Sequence, residues 1–177
     1  MDMLIEKADF GDIDEVEKLY NDICDYLEDK EYNPGWRKGC FPTREEALFF
    51  LRDNALYVAR KGGKIVGSMA LNHTPADEET GNRKTEYADT LFLHLVMVHP
   101  ACLRQGIGSE MLRFAERIGG QEDVRRLRLY VYEKNDVAIK AYEKSGFRYL
   151  EKADIGLKEY GLEWFYLYEK ELEAACG

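Results

Sequence analysis

Long hydrophobic runs are missing from this sequence. No stretch approaches the ~20 consecutive apolar residues that a membrane-spanning helix needs, so no membrane partner is expected. The opening residues Met1-Asp2-Met3-Leu4-Ile5-Glu6 lack a basic segment followed by an apolar one. A secretory signal is therefore not expected, and the cytoplasm is the default location. Cys24, Cys40, Cys102 and Cys176 include no Cys-x-x-Cys pair, and His73, His94 and His99 form no pair at helical ligand spacing. These spacings exclude the usual structural zinc sites and point to free thiols in a reducing compartment, with no metal expected. Positive charge is in deficit too: 25 Lys and Arg stand against 34 Asp and Glu, a formal net charge of −9 at pH 7. General nucleic-acid binding needs a basic footprint and is excluded. A cationic substrate suits the balance.

What is present is an ordinary globular composition, 45% hydrophobic and 33% charged, over 177 residues, enough for one domain with a real core. Leu4-Ile5-Glu6-Lys7 reads as a first strand. Asp12 with Glu15 reads as a capping box opening a helix, along which Ile13, Val16, Tyr20, Ile23 and Leu27 recur at helical spacing. Residues 28–42 hold Pro34, Gly35, Trp36, Gly39 and Pro42 and read as a loop. Thr43 and Glu46 form a second capping box. Strands at 56–59 and 65–71 are joined by Lys61-Gly62-Gly63-Lys64, whose adjacent glycines supply the positive φ angles of a tight hairpin. A polar loop over 73–87 follows. Residues 91–98 are almost wholly apolar, as a strand covered on both faces should be, with His94 the one polar side chain inside it. A helix from Ile107 is expected to end at Gly119-Gly120. A strand over 127–132, a helix over 136–145 and strands over 147–152 and 162–168 complete an α/β chain of the α+β type.

The densest chemistry lies in Val98-His99-Pro100-Ala101-Cys102-Leu103-Arg104-Gln105-Gly106-Ile107-Gly108-Ser109. A buried strand leads here through a glycine loop into an amphipathic helix. Glycines remove Cβ atoms where backbone N–H groups must approach a ligand, and a helix N-terminus favours an anion such as a pyrophosphate. A P-loop would need Gly-Lys-Ser/Thr, but Gly108 is followed by Ser109-Glu110. A dinucleotide fingerprint would need a third small residue where Met111 stands. Downstream, Asn135, Ala138 and Tyr142 fall at i, i+3 and i+7 on one helical face, ahead of Gly146-Phe147.

Together the two motifs resemble those of the GNAT acetyltransferases. Arg104-Gln105-Gly106-Ile107-Gly108 is similar to the end of that family's Gln/Arg-x-x-Gly-x-Gly/Ala loop, with Leu103 standing where Gln or Arg is usual, so that the backbone carries the phosphate binding. The likeness covers about residues 55–170. It implies a mixed, mostly antiparallel central sheet flanked by helices, with splayed central strands. It implies a single N-acetyltransferase domain over 1–177, in which 55–170 bind acyl-CoA and 1–54 shape the acceptor side. Acetyl-CoA would be the cosubstrate. Its pyrophosphate would meet Leu103, Arg104, Gln105, Gly106, Ile107, Gly108 and Ser109, and its pantetheine would meet Met97, Val98, Asn135, Ala138 and Tyr142.

The resemblance also implies direct acetyl transfer to a primary amine. His94 is the expected base, since an unperturbed histidine titrates near ~6.5. It matches one histidine of the His-x-His pair of arylalkylamine N-acetyltransferases, with Phe92 at the other position. The Val98 backbone N–H is the expected oxyanion donor. Tyr142 is the expected acid or donor to the coenzyme A thiolate. Cys102 lies by the phosphate end, too far along the cofactor for an acyl-cysteine path. Tyr32, Trp36 and Phe41, with Trp164, are the acceptor-pocket candidates, and the loops over 32–41 and 73–87 are expected to set acceptor choice. A small-molecule amine leads as acceptor; a protein N-terminus or lysine, and a non-catalytic acyl-CoA sensor, are the alternatives. A homodimer is compatible with the sequence.

Overall fold

A computed structural model describes residues 2–76 and 87–174. Strand β1, Met3–Lys7, leads through a short 3-10 turn into helix α1, Ile13–Leu27. Helix α2, Arg44–Arg52, follows the loop over 28–42, and Thr43 and Glu46 close the expected capping box. Strands β2, Leu56–Lys61, and β3, Lys64–Asn72, form the expected hairpin, with φ of 59° at Gly62 and 80° at Gly63. Strand β4, Thr90–Val98, precedes helix α3, Ile107–Gln121. Strand β5, Arg126–Tyr132, helix α4, Asp136–Lys144, and strands β6, Arg148–Ala153, and β7, Phe165–Glu171, complete the fold.

The strands make one sheet in the order β1-β2-β3-β4-β5-β7-β6, antiparallel except for β4 beside β5. Alternation along the strands feeds two cores. Tyr57, Ala59, Val66 and Leu129 face α3 and α4, while Leu56, Val58, Ile65 and Ala70 face α1 and α2. The parallel pair holds for only three residues, Thr90 to Phe92 against Arg126 to Arg128. Beyond them β5 stays bonded to β7 and β4 to β3, so the two central strands splay.

Three local expectations are corrected. Asp12 does not cap α1 with Glu15. Its carboxylate accepts from the Asp9 N–H at 2.9 Å and pairs with Arg60 at 2.5 Å, so Asp9 and Asp12 close the box one turn earlier. Glu15 instead accepts from the Ile65 N–H at 2.8 Å, tying α1 to the sheet. Gly119-Gly120 does not end α3, which runs on to Gln121. A Cβ on Gly119 would stand 2.6 Å from Leu172 Cδ1 and 3.0 Å from Val124 Cγ2, so this glycine serves close packing. The last strand also begins at Phe165, three residues later than expected.

Candidate active site

The splay opens a cavity of about 1720 Å³. Typical ligand pockets measure about 300–1,000 Å³, so this one has room for a long molecule and a second reactant. Its walls include Phe50 of α2 and Tyr142 of α4, which lie on opposite faces of the sheet. The cavity therefore passes through the gap between β4 and β5.

At one end stands the glycine loop. Leu103, Arg104, Gly106, Ile107, Gly108 and Ser109 all line the cavity. Gly106 caps α3 in the left-handed region, at φ 79°, and Arg104 is left-handed too, at φ 61°. The bond from Glu110 N–H to Gly106 O, at 3.0 Å, closes the first turn, so the N–H groups of residues 106–109 precede the ladder. Helices α2 and α4 have side-chain caps and α3 has none. A Cβ on Gly106 would meet nothing within 4 Å, and one on Gly108 only Val98 Cγ2 at 3.8 Å. Gln105 is the exception among the expected phosphate residues. It is not part of the wall, and its Oε1 accepts from Lys61 Nζ at 2.7 Å.

In the middle, β4 is bent by a bulge that the sequence did not announce. The register steps from Ser68 opposite Met97 to Ala70 opposite His94, one extra residue on β4, and Leu95 takes φ 49°. Beyond the bulge His99 N–H donates to Val66 O at 2.8 Å. Groups alternate sides along an antiparallel strand, so the Val98 N–H, one residue back, points the other way, into the splay. Met97 and Val98 are in the wall.

His94 lines the cavity and stacks on Phe50, with centroids 5.4 Å apart. Its Nε2 lies 2.8 Å from Asn72 Oδ1, which also accepts from the Thr74 N–H at 3.0 Å. A backbone N–H can only donate, so that oxygen is the acceptor and Nε2 carries the proton, leaving Nδ1 with the lone pair. Burial pushes the imidazole down to about 4, against a weaker upward pull from a Thr74 backbone hydrogen bond. The ring packs against Phe50 and Phe92 and is only partly open to the cavity, and this desolvation lowers its pKa from the expected value near ~6.5. Asn72 and Phe50 escaped the sequence reading, since neither stands in a motif.

Across the gap, Asn135 caps α4, its Oδ1 accepting from the Ala138 N–H at 3.2 Å. That commits its oxygen and leaves its NH₂ for a carbonyl. Ala138 and Tyr142 share the wall with it. The Tyr142 hydroxyl has no hydrogen-bond partner among the described residues, and burial pushes it up to about 12. It stays protonated and able to donate. A loop glycine cradle, an uncapped helix start, an inward-facing N–H and a free phenol fit a pyrophosphate joined to an amide-bearing arm and a thioester.

At the far end are Tyr32, Trp36 and Phe41. Asn33 sets this loop: its Oδ1 accepts from Gly35 and Trp36 N–H at 3.1 and 2.8 Å, and its Nδ2 donates to Leu27 O and Trp36 O. Asn33-Pro34-Gly35 is a turn signature whose ordering role was legible and missed. Trp164 is not in the cavity wall; it lies beneath Lys152 and Lys158, 5.6 and 4.6 Å from its centroid. Of the 73–87 loop, residues 77–86 lie outside the described residues, as does Cys176. Cys24, Cys40 and Cys102 are free thiols. No helix among the described residues is long and apolar enough to cross a membrane.

The family model for the acetyltransferase (GNAT) family matches residues 16–147. The chain belongs to the GNAT acetyltransferase family. It is an acetyl-CoA-dependent GNAT N-acetyltransferase. Its fold recurs in a GNAT acetyltransferase of Streptococcus pneumoniae, with TM-score 0.73, 23% identity, and 97% of this chain and 100% of that one covered. It recurs in yncA of Salmonella typhimurium, solved with its cofactor acetyl-CoA, with TM-score 0.72, 16% identity, and 99% and 96% covered. It recurs again in the ribosomal-protein-alanine N-acetyltransferase of Brucella melitensis, with TM-score 0.73, 20% identity, and 96% and 99% covered. No curated protein matches the sequence. The mixed, mostly antiparallel seven-stranded sheet is the GNAT fold expected from the motifs.

Proposed function

We propose that this GNAT enzyme acetylates a primary amine of a small molecule by direct attack, within one domain whose residues 55–170 hold acetyl-CoA and whose residues 1–54 shape the acceptor side. The observation that carries the reading is the single cavity that runs from the glycine loop, past His94 and Tyr142, to the aromatic loop. Residues 104–109 present backbone N–H groups to the pyrophosphate, and Asn135 and Ala138 hold the pantetheine arm. Acetyl-CoA supplies the activated acyl group. The Val98 N–H donates to the thioester oxygen as charge gathers there. A nitrogen–carbon bond forms, the carbon–sulfur bond breaks, and its electron pair leaves on sulfur. The nitrogen loses one proton, for which His94 Nδ1 is the acceptor.

Tyr142 donates a hydrogen bond to the departing sulfur. A phenol at about 12 gives up its proton less readily than a thiol of pKa ~8.5, so it stabilises the thiolate without transferring the proton outright. A protein amine is the second reading. It is favoured by the Brucella melitensis ribosomal-protein-alanine N-acetyltransferase among the similar folds.

Gly108→Val tests the cofactor site. A Cβ at residue 108 would meet only Val98 Cγ2, at 3.8 Å, so the substitution is expected to leave the fold intact while placing bulk between the loop amides and the pyrophosphate. Calorimetry is expected to show acetyl-CoA affinity reduced at least about 100-fold, because a blocked donor cradle loses several charge-assisted bonds. Normal affinity in the folded variant sinks the assignment.

A further inference from the structure

One short turn, Pro100–Cys102, separates the Val98 N–H from the glycine loop, and His99 holds it. The His99 backbone N–H donates to Val66 O at 2.8 Å, and its carbonyl accepts from the Cys102 N–H at 2.8 Å. Its ring caps the turn, with Nδ1 3.1 Å from the Ala101 nitrogen. A backbone N–H can only donate, so Nδ1 carries the lone pair and Nε2 bears the proton. That Nε2–H is directed at Asp22 Oδ2 of α1, 3.1 Å away. Both ring nitrogens are thus engaged, in one tautomer. A cap alone needs one acceptor, which Asn, Asp or Ser supplies with a shorter side chain. His99 reaches further, to another element.

The bond spans the two sides of the cavity. Pro100 and Cys102 line it, followed directly by Leu103 and Arg104 of the loop, while Ile23, Tyr26 and Leu27 of α1 line its acceptor end. Asp22, the residue before Ile23, accepts from Lys18 Nζ at 2.7 Å through the same oxygen. Lys18, and after it His99, hold the Asp22 carboxyl below its usual range against partial burial, so it stays a carboxylate. The side chains of His99 and Asp22 are 30% and 32% exposed, so solvent weakens this bond without cancelling it.

We propose that His99 is a positioning residue for acetyl transfer, a clamp that ties the start of the phosphate loop to helix α1 through Asp22. It fixes the loop amides and the Val98 N–H relative to the acceptor wall. This rests on the reading of residues 104–109 as the pyrophosphate cradle. With the clamp broken, the turn has to be ordered when acetyl-CoA binds, and that cost is read as lost affinity.

Imidazole nitrogen NMR of the full chain, with His99 assigned by the signal missing from His99→Asn, is expected to show the Nε2–H tautomer at neutral pH. The Nδ1–H tautomer overturns the proposal. Calorimetry is expected to show acetyl-CoA affinity reduced about tenfold in His99→Ala and about fivefold in Asp22→Ala, sizes that suit a charge-assisted bond partly open to solvent. Asp22→Asn keeps an acceptor oxygen and is expected to stay within about twofold of wild type. His99→Asn keeps only the cap and is expected to match Asp22→Ala. Lys18→Ala removes the exposed pair beside the clamp and leaves the affinity unchanged. Urea unfolding of each variant separates positioning from stability. Lowered stability with wild-type affinity makes the pair a fold contact only and overturns the proposal. An Asp22→Asn variant as weak as Asp22→Ala overturns it too, and the two Asp22 variants carry the test should His99→Ala not fold. Lost affinity in Gly108→Val alone keeps the cradle and removes the clamp; normal affinity in Gly108→Val as well removes both.

Discussion

Burial gives His94 a pH signature that a solvated histidine would not have. At about 4, its imidazole holds a proton roughly 300-fold less tightly than a free histidine at ~6.5, and about one ring in a thousand is charged at pH 7. An alkylammonium of pKa ~10.4 lies about 6 units above it, so handing over a ground-state proton costs roughly 9 kcal/mol. On the proposed mechanism the amine must therefore react as free base, and His94 would take the proton only as the nitrogen acylates and turns acidic. Wild-type kcat/KM is expected to rise tenfold per pH unit up to the pKa of the amine, with no inflection near ~6.5. His94→Ala lowers it by about 10²-fold at every pH without moving the limb, a common size for losing one acid–base group. The assay is thiol release with one active amine from about pH 5.5 to about pH 10, buffers matched in ionic strength. A wild-type limb near ~6.5 that vanishes in the variant would refute the burial argument. An unchanged rate would return His94 to a packing role beside Phe50. The sign for stability follows from the same shift. The folded state binds this proton less well than the unfolded one, so the fold loses stability as pH falls from ~6.5 towards about 4 and no further on this account.

Tyr142→Phe keeps the ring against Phe147 and removes only the hydroxyl, so kcat is expected to fall roughly 10- to 100-fold with acetyl-CoA affinity unchanged; full kcat would assign the thiolate to water. Gly119→Ala drives a methyl into Leu172 and Val124 and is expected to cost about 1–3 kcal/mol in urea unfolding. Its neighbour Gly120 has nothing within 4 Å, so Gly120→Ala is expected to stabilise by about 0.5–1 kcal/mol, and the same sign for both variants would refute the packing account.

Several features that are local in sequence were legible in the residues, although the Asp9–Asp12 box and the Asn33-Pro34-Gly35 turn were not singled out. The Lys61-Gly62-Gly63-Lys64 hairpin, the Thr43–Glu46 box and the glycine loop each lie within a few residues, and each depends on backbone angles or spacing that only certain side chains serve. The errors share a cause. Gly119 looked like a helix stop because glycine at a helix end usually is one, and only the approach of Leu172, more than fifty residues on, reveals it as a contact. Asp12 looked like a cap because Arg60, its partner, is distant in sequence. Trp164 looked like a pocket residue because an aromatic carries no address, and Lys152 and Lys158 take its face instead.

The His94 environment shows the same limit at the site itself. The strand announced one polar residue in an apolar run, and that was enough to single it out. Its proton affinity depends on Phe50 from another helix and Asn72 from the neighbouring strand. The bulge at Leu95 depends on a leucine in a conformation that leucine rarely takes, so no residue type marks it. That bulge lies between His94 and the Val98 N–H, and an extra residue there shifts the pairing of one relative to the other. Without it the strand would keep its period of two, and a residue on one side of the bulge would present the opposite face. The relative aim of the proposed base and oxyanion donor is thus a tertiary product, while the two positions could be singled out from the strand alone.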